Sequence, residues 1–193
     1  MEFFKIGRKI FEVKENISEK RFHVVFKGKS YCLIKFSSYT AFSYYLDEVK
    51  KLLNAGIRHP KIKLKDKKQF IVVENMVFGE NIRDLLMKSD LDDNIYSQIF
   101  LQNYMCKLSK INIDFEPHNF ILGSDGVLYY ISSFSEGFDD EKAFVKEKIR
   151  LWFYTKEFIR YLEKEDLPSD KTRLKEDFVI NKEIVLKTVK YYR

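Results

Sequence analysis

The residues of this chain best suited to chemistry lie in one stretch, INIDFEPHNFILGSDGVLYYISSFSEGF, from Ile111 to Phe138. It opens with an acid and an amide five apart, Asp114 and Asn119, around a loop that Pro117 stiffens. A carboxylate so placed can orient an attacking hydroxyl and accept its proton, and an amide oxygen can ligate Mg²⁺ beside phosphates. At the end of the apolar run that follows, where a second acid would complete an oxygen set, stand Ser132 and Ser133. The plainer reading of Asp114 and Asn119 is a polar turn between a helix and a strand, where both residue types are ordinary. His118, beside Asn119, reads most simply as a loop residue bonded to backbone.

Lys35 and Glu48 form a second candidate pair. Lys35 closes the β-rich run YCLIK, and Glu48 sits in the helix-patterned segment that follows. A lysine among apolar strand neighbours must reach water or an anion. A strand lysine held by a helix glutamate could present its ammonium to nucleotide phosphates. Taken alone, a solvent-facing Lys35 and a surface Glu48 explain the same letters.

The elements that must position these residues follow from periodicity. KIFEVKENI and the two halves of RFHVVFKGKSYCLIKF read as strands, the latter pair turning at Lys27-Gly28-Lys29. Phe42, Tyr45, Leu46, Val49, Leu52 and Leu53 recur at helical spacing, with Thr40 to start the helix and Gly56 to end it. Two more strands lie in RHPKIKLKDKKQFIVVENM, and ENMVFGE, 74–80, reads as a link. Beyond it ENIRDLLMKS is a short helix, and 92–111 is a long one with Ile95, Ile99, Leu101, Tyr104, Met105 and Leu108 as its apolar face. The segments 140–165 and 181–193 also read as helical, with Trp152 in a core. The expectation is an α+β chain: a small antiparallel-sheet lobe over 1–76 and a helical lobe over 77–193.

Composition sets the outer bounds. The chain has 193 residues, 45% hydrophobic, with 18 Phe and 12 Tyr, enough for a sizeable core and far from a disordered composition. A net charge of +6 favours acidic partners, although lysines mixed with acids along the whole chain describe a solvated surface equally well. Cys32 and Cys106 sit in apolar patterns and read as buried free thiols of a reducing compartment. His23 and His59 have no ligand-type neighbour at metal spacing, so no zinc site is expected. MEFFKIGRKIFEV brings acid and base too early for a signal peptide, and no run has the length of a membrane span. A soluble, cytoplasmic protein is the expectation.

Taken jointly, YCLIKF, a helix with Glu48, FIVVENMVFGENIRDLL, a long helix, then DFEPHNFIL and GVLYYIS occur in one order. Over roughly residues 9–138 this resembles the protein-kinase-like superfamily, particularly its small atypical members: RIO-like kinases, the small kinase of the tRNA-modifying KEOPS complex, lipopolysaccharide Kdo/heptose kinases and aminoglycoside phosphotransferases. The resemblance implies a minimal two-lobed fold with an ATP cleft. It implies that Lys35 holds phosphates with Glu48 as its partner, and that the 73–77 hinge, with Glu74 and Met76, receives adenine. It makes Asp114 the catalytic aspartate and Asn119 a metal ligand, with ATP and Mg²⁺ as cofactors.

The chain departs from that pattern in three places. The β-turn in KENISEKRF has no glycine where a glycine-rich phosphate loop would lie. Asn112-Ile113 stand where the family has a histidine before the aspartate. Ser132 falls where the family has its second metal-binding aspartate, and a neutral hydroxyl is a poor ligand for a hard dication; the change is a loss of order 10³-fold in rate. The segment after Ser132 is too short for an ordinary activation segment. Two readings result: an ATP-dependent phosphotransferase acting on a hydroxyl of a small molecule or protein, or a pseudokinase that binds a nucleotide or partner without catalysis. An RNA-associated basic protein of the same fold is a third.

Overall fold

A computed structural model describes residues 2–137, 139, 144–145 and 148–191. The chain is a mixed α+β protein that divides into two compact units. The first comprises residues 1–51 and 59–78, the second 52–58 and 79–193. A single cut after residue 76 would therefore misplace 52–58. Leu52, Ala55 and Ile57 are buried in the core of the second unit, which explains their membership.

The first unit is built on a six-stranded antiparallel sheet: β1 (Phe3–Ile6), β2 (Lys9–Ser18), β3 (Arg21–Phe26), β4 (Lys29–Lys35), β5 (Ile62–Asp66) and β6 (Ile71–Asn75). Their order is β1-β2-β3-β4-β6-β5. β1 extends the sheet beyond the strands read from the sequence, turning into β2 through Gly7 at φ +59°. The β3–β4 turn is the one expected. Lys27 (φ 51°) and Gly28 (φ 72°) both take the left-handed conformation that a two-residue hairpin matching strand twist requires.

Between β4 and β5 runs α1 (Tyr39–Asn54). Its start is capped by Ser38, whose Oγ accepts from the Ala41 N–H at 3.2 Å, so the cap lies two residues before Thr40. Its end is at Gly56, φ +79°, with the Ile57 N–H reaching back to the Leu52 carbonyl at 2.9 Å. The sheet has apolar groups on both faces. Ile6, Phe11, Val24, Leu33, Ile71 and Val73 form one buried cluster. Ile34 and Val72 pack with Phe42, Tyr45 and Val49 of α1 in another.

The second unit holds α2 (Ile82–Lys88), α3 (Asp93–Ser109), α4 (Lys156–Lys164) and α5 (Asp177–Tyr191). Two small sheets join them: β7 (Gly79–Asn81), β9 (Phe120–Gly123) and β10 (Leu128–Tyr130) in the order β10-β9-β7, and β8 (Ile111–Ile113) paired with β11 (Ser135–Gly137). The segment 140–165, read as one helix, lies partly outside the described residues. Within them it is a 3₁₀ turn (Ile149–Trp152) followed by α4, whose N-terminus Thr155 caps by accepting from the Phe158 N–H at 3.1 Å. The apolar face expected of α3 is also shifted. Ile95, Tyr96, Ile99, Phe100 and Cys106 are buried, whereas Leu101 and Leu108 are 49% and 59% exposed. Among the described residues no helix is long and apolar enough to cross a membrane.

Gly79 opens β7 opposite Gly123 of β9, and a Cβ on it would sit inside contact distance of the Leu122 carbonyl oxygen. Backbone cannot yield as a side-chain tip can. Gly79→Ala is expected to lower the denaturation free energy by about 1–3 kcal/mol, read from urea midpoints at constant slope.

Candidate functional site

The Asp114 loop is positioned from every side. α3 ends at Lys110 in the left-handed conformation (φ 53°), which turns the chain into β8. Pro117 then starts a 3₁₀ turn, closed by the Asn119 N–H on the Glu116 carbonyl at 3.0 Å. Phe115 is fully buried, stacked on Phe120 with centroids 6.2 Å apart. The Phe115 carbonyl accepts from the Trp152 indole N–H at 2.7 Å. Asn81 Nδ2 donates to the His118 carbonyl at 2.8 Å, while its Oδ1 caps α2 through the Arg83 N–H at 2.9 Å. The His118 ring stacks on Tyr161, and its Nδ1 lies 2.8 Å from the Tyr161 hydroxyl.

These restraints bring three of the predicted residues into one constellation. Asn119 is buried, and its Nδ2 donates to the Asp114 carbonyl at 3.4 Å, which closes the loop on itself. Asp114 is half-buried, and its Oδ1 accepts from the Glu116 N–H at 3.1 Å. Ser132 joins through Tyr130. The phenol accepts from the Asp114 N–H at 3.3 Å and donates to the Phe134 carbonyl at 2.9 Å, and the Phe134 N–H donates to Ser132 Oγ at 3.3 Å. Burial raises the Tyr130 phenol above its ordinary pKa, so it stays a neutral donor and acceptor.

Beside Asp114 is a cavity of about 280 Å³ lined by Asp114, Glu116, Glu136, Phe134 and Lys148, with Asn112 and Ile113 behind. Lys148 Nζ reaches Glu116 at 3.3 Å. Glu136 stands in β11 directly opposite Asn112 of β8. Asn112 donates from Nδ2 to the Asp139 carbonyl at 3.0 Å. Among the described residues no group of three or more His, Cys, Asp and Glu could hold a metal. The oxygen donors at the expected metal position are the Asn119 amide and the Ser132 hydroxyl. Both are neutral, so the set does not fit a tightly held resident dication.

In the first unit the structure does not bring Lys35 to Glu48. Lys35 is exposed and lies opposite Ile71, on the face of β4 that carries Leu33. Glu48 is 1% exposed on the buried side of α1 and takes the Lys51 ammonium. The reason is strand alternation: Leu33 and Lys35 share one face, and Ile34, under α1, the other.

Glu74 also faces α1. It is 2% exposed, and Tyr45 donates to its Oε1 at 2.5 Å. Burial raises its carboxyl to about 7, against the pull of Tyr45 and of Arg21. His59, nearby, is lowered to about 4, chiefly by burial. Its Nδ1 donates to the Pro60 carbonyl at 3.0 Å, so the 3.9 Å approach to Glu74 is not an ion pair near neutrality. Met76 is half-buried just beyond β6.

The sequence reading named neither Tyr130, Trp152, Tyr161 nor Asn81 as positioning residues. Two had a signal. Asn81 precedes a short helix as an N-cap residue should, and the one Trp, if buried, needs an acceptor for its N–H.

Trp152→Phe removes the donor to the Phe115 carbonyl and part of the buried ring volume; it is expected to cost at least about 1–3 kcal/mol by denaturant titration. Glu74 and His59 make opposed contributions to pH dependence. Glu74 binds its proton more tightly folded, so its contribution falls as pH rises from about 4.5 to 7; His59 refuses a proton when folded, so its contribution rises between about 4 and 6.5. Glu74→Gln leaves only the second, and relative to wild type the variant should gain about 2–3 kcal/mol between pH 4.5 and 6.5. Parallel curves for the two proteins would contradict these environments. No family model matches the chain, and no curated protein matches it.

Proposed function

We propose that this chain is a kinase-like phosphotransferase: it binds MgATP as substrate and directs the γ-phosphoryl to a hydroxyl of a small molecule or protein. The observation that carries the reading is the closed loop from Asp114 to Asn119, with the Asp114 carboxylate on the wall of the 280 Å³ cavity. The order of elements supports it. Three strands, a helix and two strands occur as β2, β3, β4, α1, β5 and β6 in one antiparallel sheet, and the catalytic-type loop follows a long helix, as the resemblance requires.

In this reading the acceptor hydroxyl enters the cavity and donates to Asp114. The Glu116 N–H fixes the plane of that carboxylate, so it meets the hydroxyl without reorganising. As the phosphoryl group transfers, Asp114 receives the hydroxyl proton. Asn119, turned by its bond to the Asp114 carbonyl, offers its amide oxygen to the cation that accompanies the nucleotide. That cation supplies charge neutralisation for the phosphates.

A binding-only reading is favoured by one observation: Ser132 Oγ is engaged by the Phe134 N–H, in a position where the resemblance requires a metal-binding carboxylate. Phosphate release from ATP with Mg²⁺, across a panel of hydroxyl acceptors, separates the two. Turnover by the wild type that Asp114→Asn lowers by about 10²-fold or more supports the enzyme. A silent wild type that gains turnover in Ser132→Asp supports the scaffold. No turnover in either, with no nucleotide binding, removes both.

A further inference from the structure

Two glutamines of α3, Gln98 and Gln102, reach across to the β9–β10 hairpin, and only the first has both ends of its amide engaged there. Gln98 donates from Nε2 to the Gly126 carbonyl at 2.8 Å and accepts at Oε1 from the Leu128 N–H at 2.8 Å. Gln102, one helical turn on, donates from Nε2 to the Leu128 carbonyl at 2.9 Å. A carbonyl can only accept, so this bond fixes the orientation of the amide and leaves Oε1 as its other end. That oxygen is buried, in a residue only 4% exposed, and meets no donor among the described residues. A buried acceptor without a donor is costly, and a ligand that brings an N–H or O–H to it is favoured by the same amount.

Gln102 lines a cavity of about 150 Å³ with Gly56, Arg58, Gln98, Leu101 and Met105, all of them in the second unit. The cavity shares no lining residue with the one beside Asp114. Helix periodicity builds its wall: 98, 101, 102 and 105 fall at i, i+3, i+4 and i+7, one stripe of α3. At Gly56 the chain turns with φ +79°, and a Cβ there would come within 2.6 Å of Met105 Cε, so a bare backbone is what lets Met105 lie against it. Arg58 is exposed, with its Nη1 3.3 Å from Gln98 Oε1.

The lining selects an occupant. The side chains of Leu101 and Met105 offer only carbon and sulfur. Both polar ends of Gln98 are engaged, so a water beside Gln102 finds few of the two to four partners that an ordered water needs. A cavity of this size takes one benzene-sized ring. A positive charge on that ring would meet the Arg58 guanidinium. We propose that this cavity binds a neutral single-ring molecule with one hydroxyl or N–H donor, which donates to Gln102 Oε1 while its carbon face packs on Leu101 and Met105. The site stands whether or not the chain binds a nucleotide.

The test is a protein-observed NMR titration with phenol and with toluene, which is close to phenol in size and lacks the donor. Phenol should shift the Gln102 side-chain amide and the backbone amides of Gly56 and Met105 saturably, with a Kd on the order of 1 mM or tighter. Toluene should bind about 10-fold more weakly or worse. Gln102→Met removes the acceptor and should bring phenol to the level of toluene. Leu101→Trp, at an exposed position that accepts bulk, should fill the cavity and abolish both. Should Gln102→Met fail to fold, the phenol–toluene difference and Leu101→Trp decide alone. If phenol gives no saturable shift at these amides up to about 20 mM, Oε1 is met by water only and the cavity is not a ring site. Equal affinity for toluene and phenol, phenol binding unchanged in Gln102→Met, or phenol binding retained in Leu101→Trp would each overturn the assignment.

Discussion

One hydrogen bond holds the candidate site in register with its core: the Trp152 indole N–H on the carbonyl of Phe115. Phe115 sits between Asp114 and Glu116, so its ring goes inward while its neighbours face the cavity. The ring stacks on Phe120 and packs near Phe144, and Trp152 meets both of those edge-on. A polar loop of six residues has few backbone partners of its own, since the 3₁₀ turn closes only the N–H groups of Asn119 and Phe120. The bonds from Trp152, Asn81 and Tyr161 come from three separate segments. A loop so tethered loses little freedom when it meets a ligand, and that is the condition under which one carboxylate can be effective.

The first unit solves a different problem, a charged row buried beneath a helix. Glu48 and Glu74 are almost fully covered, which a carboxylate tolerates only when bonded or neutralised. Glu74 does both, taking a phenol proton bond and drifting toward its neutral form. His59 stays neutral beside it, with Nδ1 on Pro60 and Nε2 without a partner among the described residues. Between about pH 4.5 and 6.5 both groups stay neutral in the folded protein, and their opposed contributions to stability largely cancel there. Arg21 is the fixed positive charge in that setting.

How much of this was legible in the letters depends on what the letters encode. Strands and turns were, because period-two patterns and Lys27-Gly28 report local backbone. The facing of Lys35 was not. Leu33 and Ile34 are both buried, on opposite faces, so hydrophobic alternation in β4 carries no information about which side α1 covers. The face of α3 was misread for a related reason. Gln102 and Asn103 are buried, donating to the Leu128 carbonyl at 2.9 Å and accepting from the Phe144 N–H at 3.2 Å. Two amides on the inner stripe displace the apolar pattern, leaving Leu101 and Leu108 outside. In the candidate site Asp114 and Asn119 stood out by type and spacing, whereas Tyr130 and Trp152 act through tertiary bonds that no local spacing records.

Ser132 takes its meaning from the charge around it. Among the described residues, the cavity beside Asp114, linked to Ser132 through Phe134, is lined by three carboxylates, Asp114, Glu116 and Glu136, and one ammonium, Lys148. A further aspartate at 132 would raise the repulsion felt by any phosphate chain, and only a bound dication could offset it. A hydroxyl removes both sides of that balance. It gives up the charge that would anchor the cation, and with it the charge that made the cation indispensable. In the proposed reading, nucleotide affinity would depend less on metal with a hydroxyl at 132 than with an aspartate there, while alignment of the γ-phosphate would suffer more than binding. A hydroxyl at that position would so separate holding the nucleotide from turning it over.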